Sequence, residues 1–177
     1  MRWDHGLWEI FKMTETYLGY NWDSVYDALK SVVETIEDSS AVPKREFGNV
    51  EAGKPDNISL HSGDTVLIAL GKIEKITPAM GGRGKVAHIK GYFLVYVDGE
   101  NENAQRRASY LWDRLAAAIE ANKTLGLGGK CKCKVDYNSP GGFRQNDKNM
   151  GTKNVPDYCA GAVLVLNIAK AREQITI

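Results

Sequence analysis

"DTVLIALGKIEKITPAMGGRGKVAHIKGYFLVYV" (residues 64–97) decides the fold. Its first part, 64–76, puts Val66, Ile68 and Leu70 on one strand face and Leu67, Ala69 and Ile73 on the other. Residues 77–85 are glycine-rich and read as a turn. The stretch 86–97 then alternates, with Ala87, Ile89, Phe93, Val95 and Val97 on one face. Two long strands around a glycine turn predict an antiparallel hairpin.

Working outward from the hairpin, residues 23–38 carry Val25, Ala28, Leu29, Val32, Val33 and Ile36 on one helical face. "SVYD" fits a capping-box pattern, with Ser24 near the cap and Asp27 three residues on. Residues 39–63 read as an irregular connection with one short strand near 47–50. Beyond the hairpin, a second helix within 99–126 has an apolar stripe of Ala104, Ala108, Leu111, Trp112, Leu115 and Ile119, closed by Lys123 and Gly126. "KCKCKVDY" (130–137) alternates as a strand, and "DYCAGAVLVLNIA" (157–169) is almost continuously apolar. The polar segment 138–156 between them is too long for a simple turn, and connections of that length are usually functional or disordered.

The expected architecture is therefore α+β: a four-stranded, mainly antiparallel sheet with two helices packed on one face, in the order α-β-β-α-β-β. The organisation reads as an aromatic N-terminal arm (1–22), a single domain (23–169) and a C-terminal tail (170–177). Strands 64–76 and 157–169 look apolar on both faces, whereas an antiparallel sheet with one solvated face should alternate. Either the arm or neighbouring subunits cover the second face, and the neighbours are the cover expected.

Composition narrows the function classes. The chain has 177 residues, 43% hydrophobic and 25% charged, with a formal net charge of +1. That charge supplies no global pull toward DNA or a membrane. The N-terminal stretch has no signal-peptide core, and the longest apolar run, 159–166, is too short to span a bilayer. Three cysteines argue against a disulfide framework and fit a reducing cytoplasm.

Catalytic patterns fail in turn. "GGRGKV" (81–86) lacks a phosphate loop's first glycine, since Ala79 stands there, and Val86 replaces the magnesium-holding Ser or Thr. "GLGGK" (126–130) follows a helix instead of opening one. His5, His61 and His88 lie on three different elements, and no nucleophile elbow or H-E-x-x-H motif occurs. The chain reads as a non-enzyme without cofactor or metal.

Cys131 and Cys133 sit two residues apart on one strand face, about 6.6 Å along it, which is poor geometry for a disulfide. With Val135 they form an apolar row, since free cysteine packs as a small hydrophobe. Lys130, Lys132 and Lys134 form the opposite face, either as a solvated edge or as an anion-facing row.

The helix ending near 38, the hairpin "DTVLIALG"/"KGYFLVYVDGENENAQ", the helix "ASYLWDRLAAAIEAN" running into "LGLGGKCKCKVDY", and the closing strand "YCAGAVLVLNI" together resemble the tail-terminator (tail-completion) proteins of long-tailed bacteriophages and related minor neck proteins. The resemblance spans roughly 23–169 and rests on element order and texture. It implies a virion structural protein, assembled in the host cytoplasm. Such proteins form a ring, commonly a hexamer, that stops polymerisation of the tail tube protein and offers a surface to the head-tail connector, around a channel that DNA crosses. On that reading Lys130, Lys132 and Lys134 face the lumen. Loops bearing Arg83, Lys85, Phe143, Arg144 and Lys148 meet partners, and Trp3, Trp8 and Phe11 anchor the arm on a neighbour. The alternatives are a head-completion or connector protein and, from another class, a small nucleic-acid-binding module.

Overall fold

The computed structural model describes residues 20–37, 46–52, 64–81, 84–98, 102–138, 142–145 and 159–173. Among the described residues two helices, α1 (Trp22–Glu34) and α2 (Glu102–Ala121), accompany six strands: β1 (Asn49–Ala52), β2 (Thr65–Pro78), β3 (Lys85–Asp98), β4 (Cys131–Val135), β5 (Gly142–Gln145) and β6 (Cys159–Ala171). The sheet order is β1-β2-β3-β6-β4, and β5 pairs with β6 beside β4. Every pairing is antiparallel except β1 with β2. The four expected strands and their order are present. The short strand expected near 47–50 is β1, which joins the sheet as a parallel edge, and the four-strand count is corrected by it and by β5, which lies inside the segment expected to be only a loop.

One sheet face and both helices enclose the core. Val66, Ile68 and Leu70 of β2, Ala87, Ile89, Phe93, Val95 and Val97 of β3, and Ala162, Leu164, Leu166 and Ile168 of β6 pack with the helices. From α2 come Ala104, Ala108, Leu111, Leu115 and Ile119, all buried; from α1 come Trp22, Val25, Leu29, Val32 and Val33. Burying each large aliphatic side chain contributes about 1.5–3 kcal/mol. Trp112 is only half-buried, and its indole N–H donates to the Val163 carbonyl at 3.1 Å. Gly91 lies on this face between Leu70 and Leu166, where a Cβ would come 2.7 Å from Ile168 Cδ1. Glycine there makes room for the isoleucine.

Helix α1 begins earlier than the capping pattern predicts. Its cap is Asn21, at φ 48°, whose side-chain oxygen accepts from the Ser24 amide at 3.3 Å while Ser24 Oγ donates to the Asn21 carbonyl at 2.7 Å. The helix ends at Glu34, yet Ile36 still reaches the core. Tyr20 and Trp22, placed in the arm by the sequence pattern, stack with ring centroids 5.7 Å apart and are buried.

The register of β2 departs from simple alternation. Between Leu70 and Ile73, and again between Ile73 and Lys75, the β2–β3 ladder shifts. The first bulge turns Ile73 onto the core face opposite Ile89, correcting its expected place beside Leu67 and Ala69. The second returns Lys75 to the opposite sheet face, which bears neither of the two described helices and is called helix-free in that sense, where it pairs with His88. Bulges of this kind re-aim side chains and increase local twist.

Leu67, Ala69, Tyr96 and Val165, on the helix-free face, are buried within the single chain. Neighbouring subunits are therefore not required to cover this apolar zone, which corrects the sequence expectation. Strand β6 also runs past the expected domain end at 169, and Lys170, 1% exposed, lies on the core face opposite Cys131 and Ala87. Its ammonium meets Glu173 Oε1 at 3.0 Å, and that hydrogen bond holds the Glu173 carboxyl below its ordinary range.

Candidate functional site: the helix-free face

Strand β4 realises the alternation of its sequence. Cys131, Cys133 and Val135 are buried, and Lys132 and Lys134 are exposed on the face away from the helices. Burial pushes the Cys131 thiol up to about 11 and the Cys133 thiol up to about 12. Both are therefore neutral packing groups near pH 7. Iodoacetamide applied to the native protein should leave both unlabelled in peptide mass mapping, and denaturant should expose them. Native labelling at Cys133 would contradict this packing. The side chain of Cys159 lies outside the described residues.

The outer edge of β4 is closed by its own chain. The Cys131 amide donates to the Gly128 carbonyl, and the Cys133 amide donates to the Lys123 carbonyl at 2.6 Å. The turn that brings these acceptors round contains Leu125 and Gly126, both at positive φ, with Leu125 buried. Edge amides already satisfied in this way offer no template for another strand.

Register builds the polar half of the helix-free face across four strands. Lys75 of β2 pairs with His88 of β3, His88 with Ala169 of β6, and Ala169 with Lys132 of β4. The adjacent row runs Lys90, Asn167, Lys134. Adjacent strands lie about 4.8 Å apart, so Lys75 and Lys132 are about 14 Å from one another at the backbone. Lys90 is held in place: its ammonium pairs with the Asp136 carboxylate and donates to Asn167 Oδ1 at 2.6 Å. Burial first, and the Lys75 ammonium second, hold the His88 imidazole below its ordinary value, and His88 Nε2 lies 2.8 Å from Thr77 Oγ1. His88 is thus neutral near pH 7, and the exposed charges are those of Lys75, Lys132 and Lys134, opposed by the exposed Glu74 carboxylate next to Lys75. None of these three forms an ion pair with a described residue.

Lys130 parts company with its neighbours. It closes a 3-10 turn (Gly128–Lys130) ahead of β4, and its charge acts on Glu173. Lys85 is exposed at the start of β3, where its carbonyl accepts from the Arg172 amide at 2.9 Å. Phe143 and Arg144 belong to β5, opposite Ala162 and Gly161. Arg83, Lys148, Trp3, Trp8 and Phe11 lie outside the described residues. Lys75, Lys90 and Asn167 join the lysine row only through strand register, a signal absent from any single segment of the sequence.

A second surface is the end of the β2–β3 hairpin. From Lys72 onward β2 is mostly exposed, with Ile76 46% exposed and Met80, at the turn, 99% exposed. Among the described residues no group of three or more His, Cys, Asp and Glu side chains is arranged to hold a metal ion. No described helix is long and apolar enough to cross a membrane.

No protein-family model matches the chain, and no curated protein matches it. Among solved structures it is similar to a sheath/tube terminator of an extracellular contractile injection system, PVC, in the extended state. The identity is 11% and the TM-score 0.41, over 86% of this chain and 57% of that one. The chain thus spans less than two thirds of that neighbour's length, and a likeness this loose fixes neither fold nor role.

Proposed function

We propose that this protein is a structural component of a phage-type tail, a terminator that acts by shape and interface chemistry rather than catalysis. The observation that carries the reading is the β2–β3 hairpin, which ends in exposed Ile76 and Met80. Apolar side chains displayed on a projecting arm are contact groups for another protein. The element order on which the family resemblance rests, α-β-β-α-β-β for the main elements, is also the order found in the fold. In this role the protein closes into a ring, commonly a hexamer in such proteins, on the head-proximal end of the tube and presents its outer surface to the connector, within the virion.

The test is a polymerisation assay with the tail tube protein of the same virus. Adding the protein should halt tube growth, and negative-stain images should show a ring-shaped cap at one end. Met80→Asp should abolish capping without shifting the thermal melt, because Met80 touches nothing in the monomer that its 99% exposure would allow to matter. Tubes that grow unchanged and uncapped in the presence of excess wild-type protein would sink the proposal.

A further inference from the structure

We infer that the polar half of the helix-free face is a binding surface for the phosphate backbone of duplex DNA, with Lys75, Lys132 and Lys134 as its contacts. The lysines are not needed to guard the sheet edge, since the Cys131 and Cys133 amides are already taken by the Gly128 and Lys123 carbonyls. Among the described residues the exposed lysines of this surface outnumber its exposed carboxylates, of which Glu74 opposes them. Asp136 is engaged by Lys90, and Glu74, the other carboxylate acting here, is felt at His88 and Tyr92. The exposed cations stand in register across the sheet, from β2 to β4, with a pinned lysine and a neutral histidine between them.

The chemistry of the patch selects its partner. Cores of protein interfaces are depleted in lysine and enriched in aromatic side chains, the reverse of this half-face. Lys132 and Lys134 are about 6.8 Å apart along β4. Successive phosphates wind around the duplex axis and so stand farther apart than the roughly 3.4 Å axial rise per charge, which lets two such lysines meet neighbouring phosphates of one strand. Three lysines without base-reading side chains give sequence-blind, loose, salt-sensitive contact. The inference draws on the tail-terminator reading only for which polyanion the face meets.

Fluorescence anisotropy of the full chain with a short labelled duplex of mixed sequence tests it. Binding should be insensitive to sequence, and three phosphate contacts predict a roughly 40-fold loss of affinity between 50 and 200 mM salt. Lys132→Glu with Lys134→Glu should weaken binding at least tenfold, Lys75→Glu should weaken it further, and the matching Lys→Arg changes should retain it, all with unchanged melting curves. Absence of saturable binding at 50 mM salt overturns the inference, as does binding that survives the charge reversals. Tighter binding of polyaspartate than of duplex at equal charge overturns it in favour of an acidic protein partner. Tube capping is read separately: a protein that caps tubes but ignores duplex defeats this inference alone, and one that binds duplex without capping defeats only the terminator reading.

Discussion

Leu115→Asp will leave no cooperative unfolding transition. Leu115 is fully buried in the stripe of α2 that faces the sheet. Removing its side chain alone costs about 2–5 kcal/mol, the range for large-to-alanine changes in cores. Placing a carboxylate there adds a further penalty of several kcal/mol, whether the group ionises unpaired or is protonated. The sum is comparable to the roughly 5–15 kcal/mol by which domains are stable. Far-UV circular dichroism and urea melts of three variants test the argument. Leu115→Asp should show no native baseline, Leu115→Ala should melt cooperatively with a lowered midpoint, and Ala117→Asp, at an exposed position of the same helix, should lose less than about 1 kcal/mol. A folded Leu115→Asp protein would mean that α2 does not pack on the sheet as described.

Helix α2 could be placed from sequence because its burial repeats with the helical period and nothing interrupts it. Strand β4 was equally legible: "CKCKV" alternates, and the structure buries the thiols and exposes the lysines. The errors lie where an outcome depends on residues far apart in the chain. Nothing in "LGKIEKI" signals that two bulges turn Ile73 inward and return Lys75 to the opposite face, because only the pairing with β3 creates them. The buried Lys170 continues an apolar strand, and its tolerance there depends on Glu173 three residues on. The basic face was half-seen for the same reason. Lys132 and Lys134 announce themselves as neighbours in sequence, whereas Lys75 and Lys90 join them only when β3 and β6 are laid between. Strand β5 was missed because four residues in a polar segment have too little pattern to mark a strand, and their pairing with β6 is what makes them one.

Arg107 is the second site where a single change has a large effect, and it acts through charge instead of volume. Its guanidinium joins two carboxylates that flank the β1 region: Nη2 lies 2.7 Å from Glu46 Oε1, and Nε donates to Asp64 Oδ2 at 2.8 Å. The Asp64 carbonyl in turn accepts the Gly48 amide at 3.0 Å and the Asn49 amide at 3.3 Å, so the clamp fixes how β1 meets β2. The Glu46 side chain is 1% exposed, and among the described residues neither of its oxygens has a well-directed hydrogen bond. Its charge is therefore compensated by Arg107 mainly through Coulombic proximity, and the two acids in turn raise the Arg107 pKa against the opposing effect of burial. Arg107→Met strands a buried carboxylate. Breaking a buried pair from one side costs roughly 3–5 kcal/mol, and the lower end applies because the Arg107 side chain is 34% exposed. For a chain of this size that loss lowers Tm by roughly 6–12 °C. The companion variant decides the cause. Glu46→Gln combined with Arg107→Met removes the orphaned charge and should recover most of the lost stability, whereas Arg107→Lys, a point charge that cannot fork to both acids, should fall between the two. If the double variant melts no higher than Arg107→Met, the loss comes from the unpaired Asp64 or from the stem's packing beside Tyr110, over whose ring the guanidinium sits at 5.3 Å, and not from Glu46.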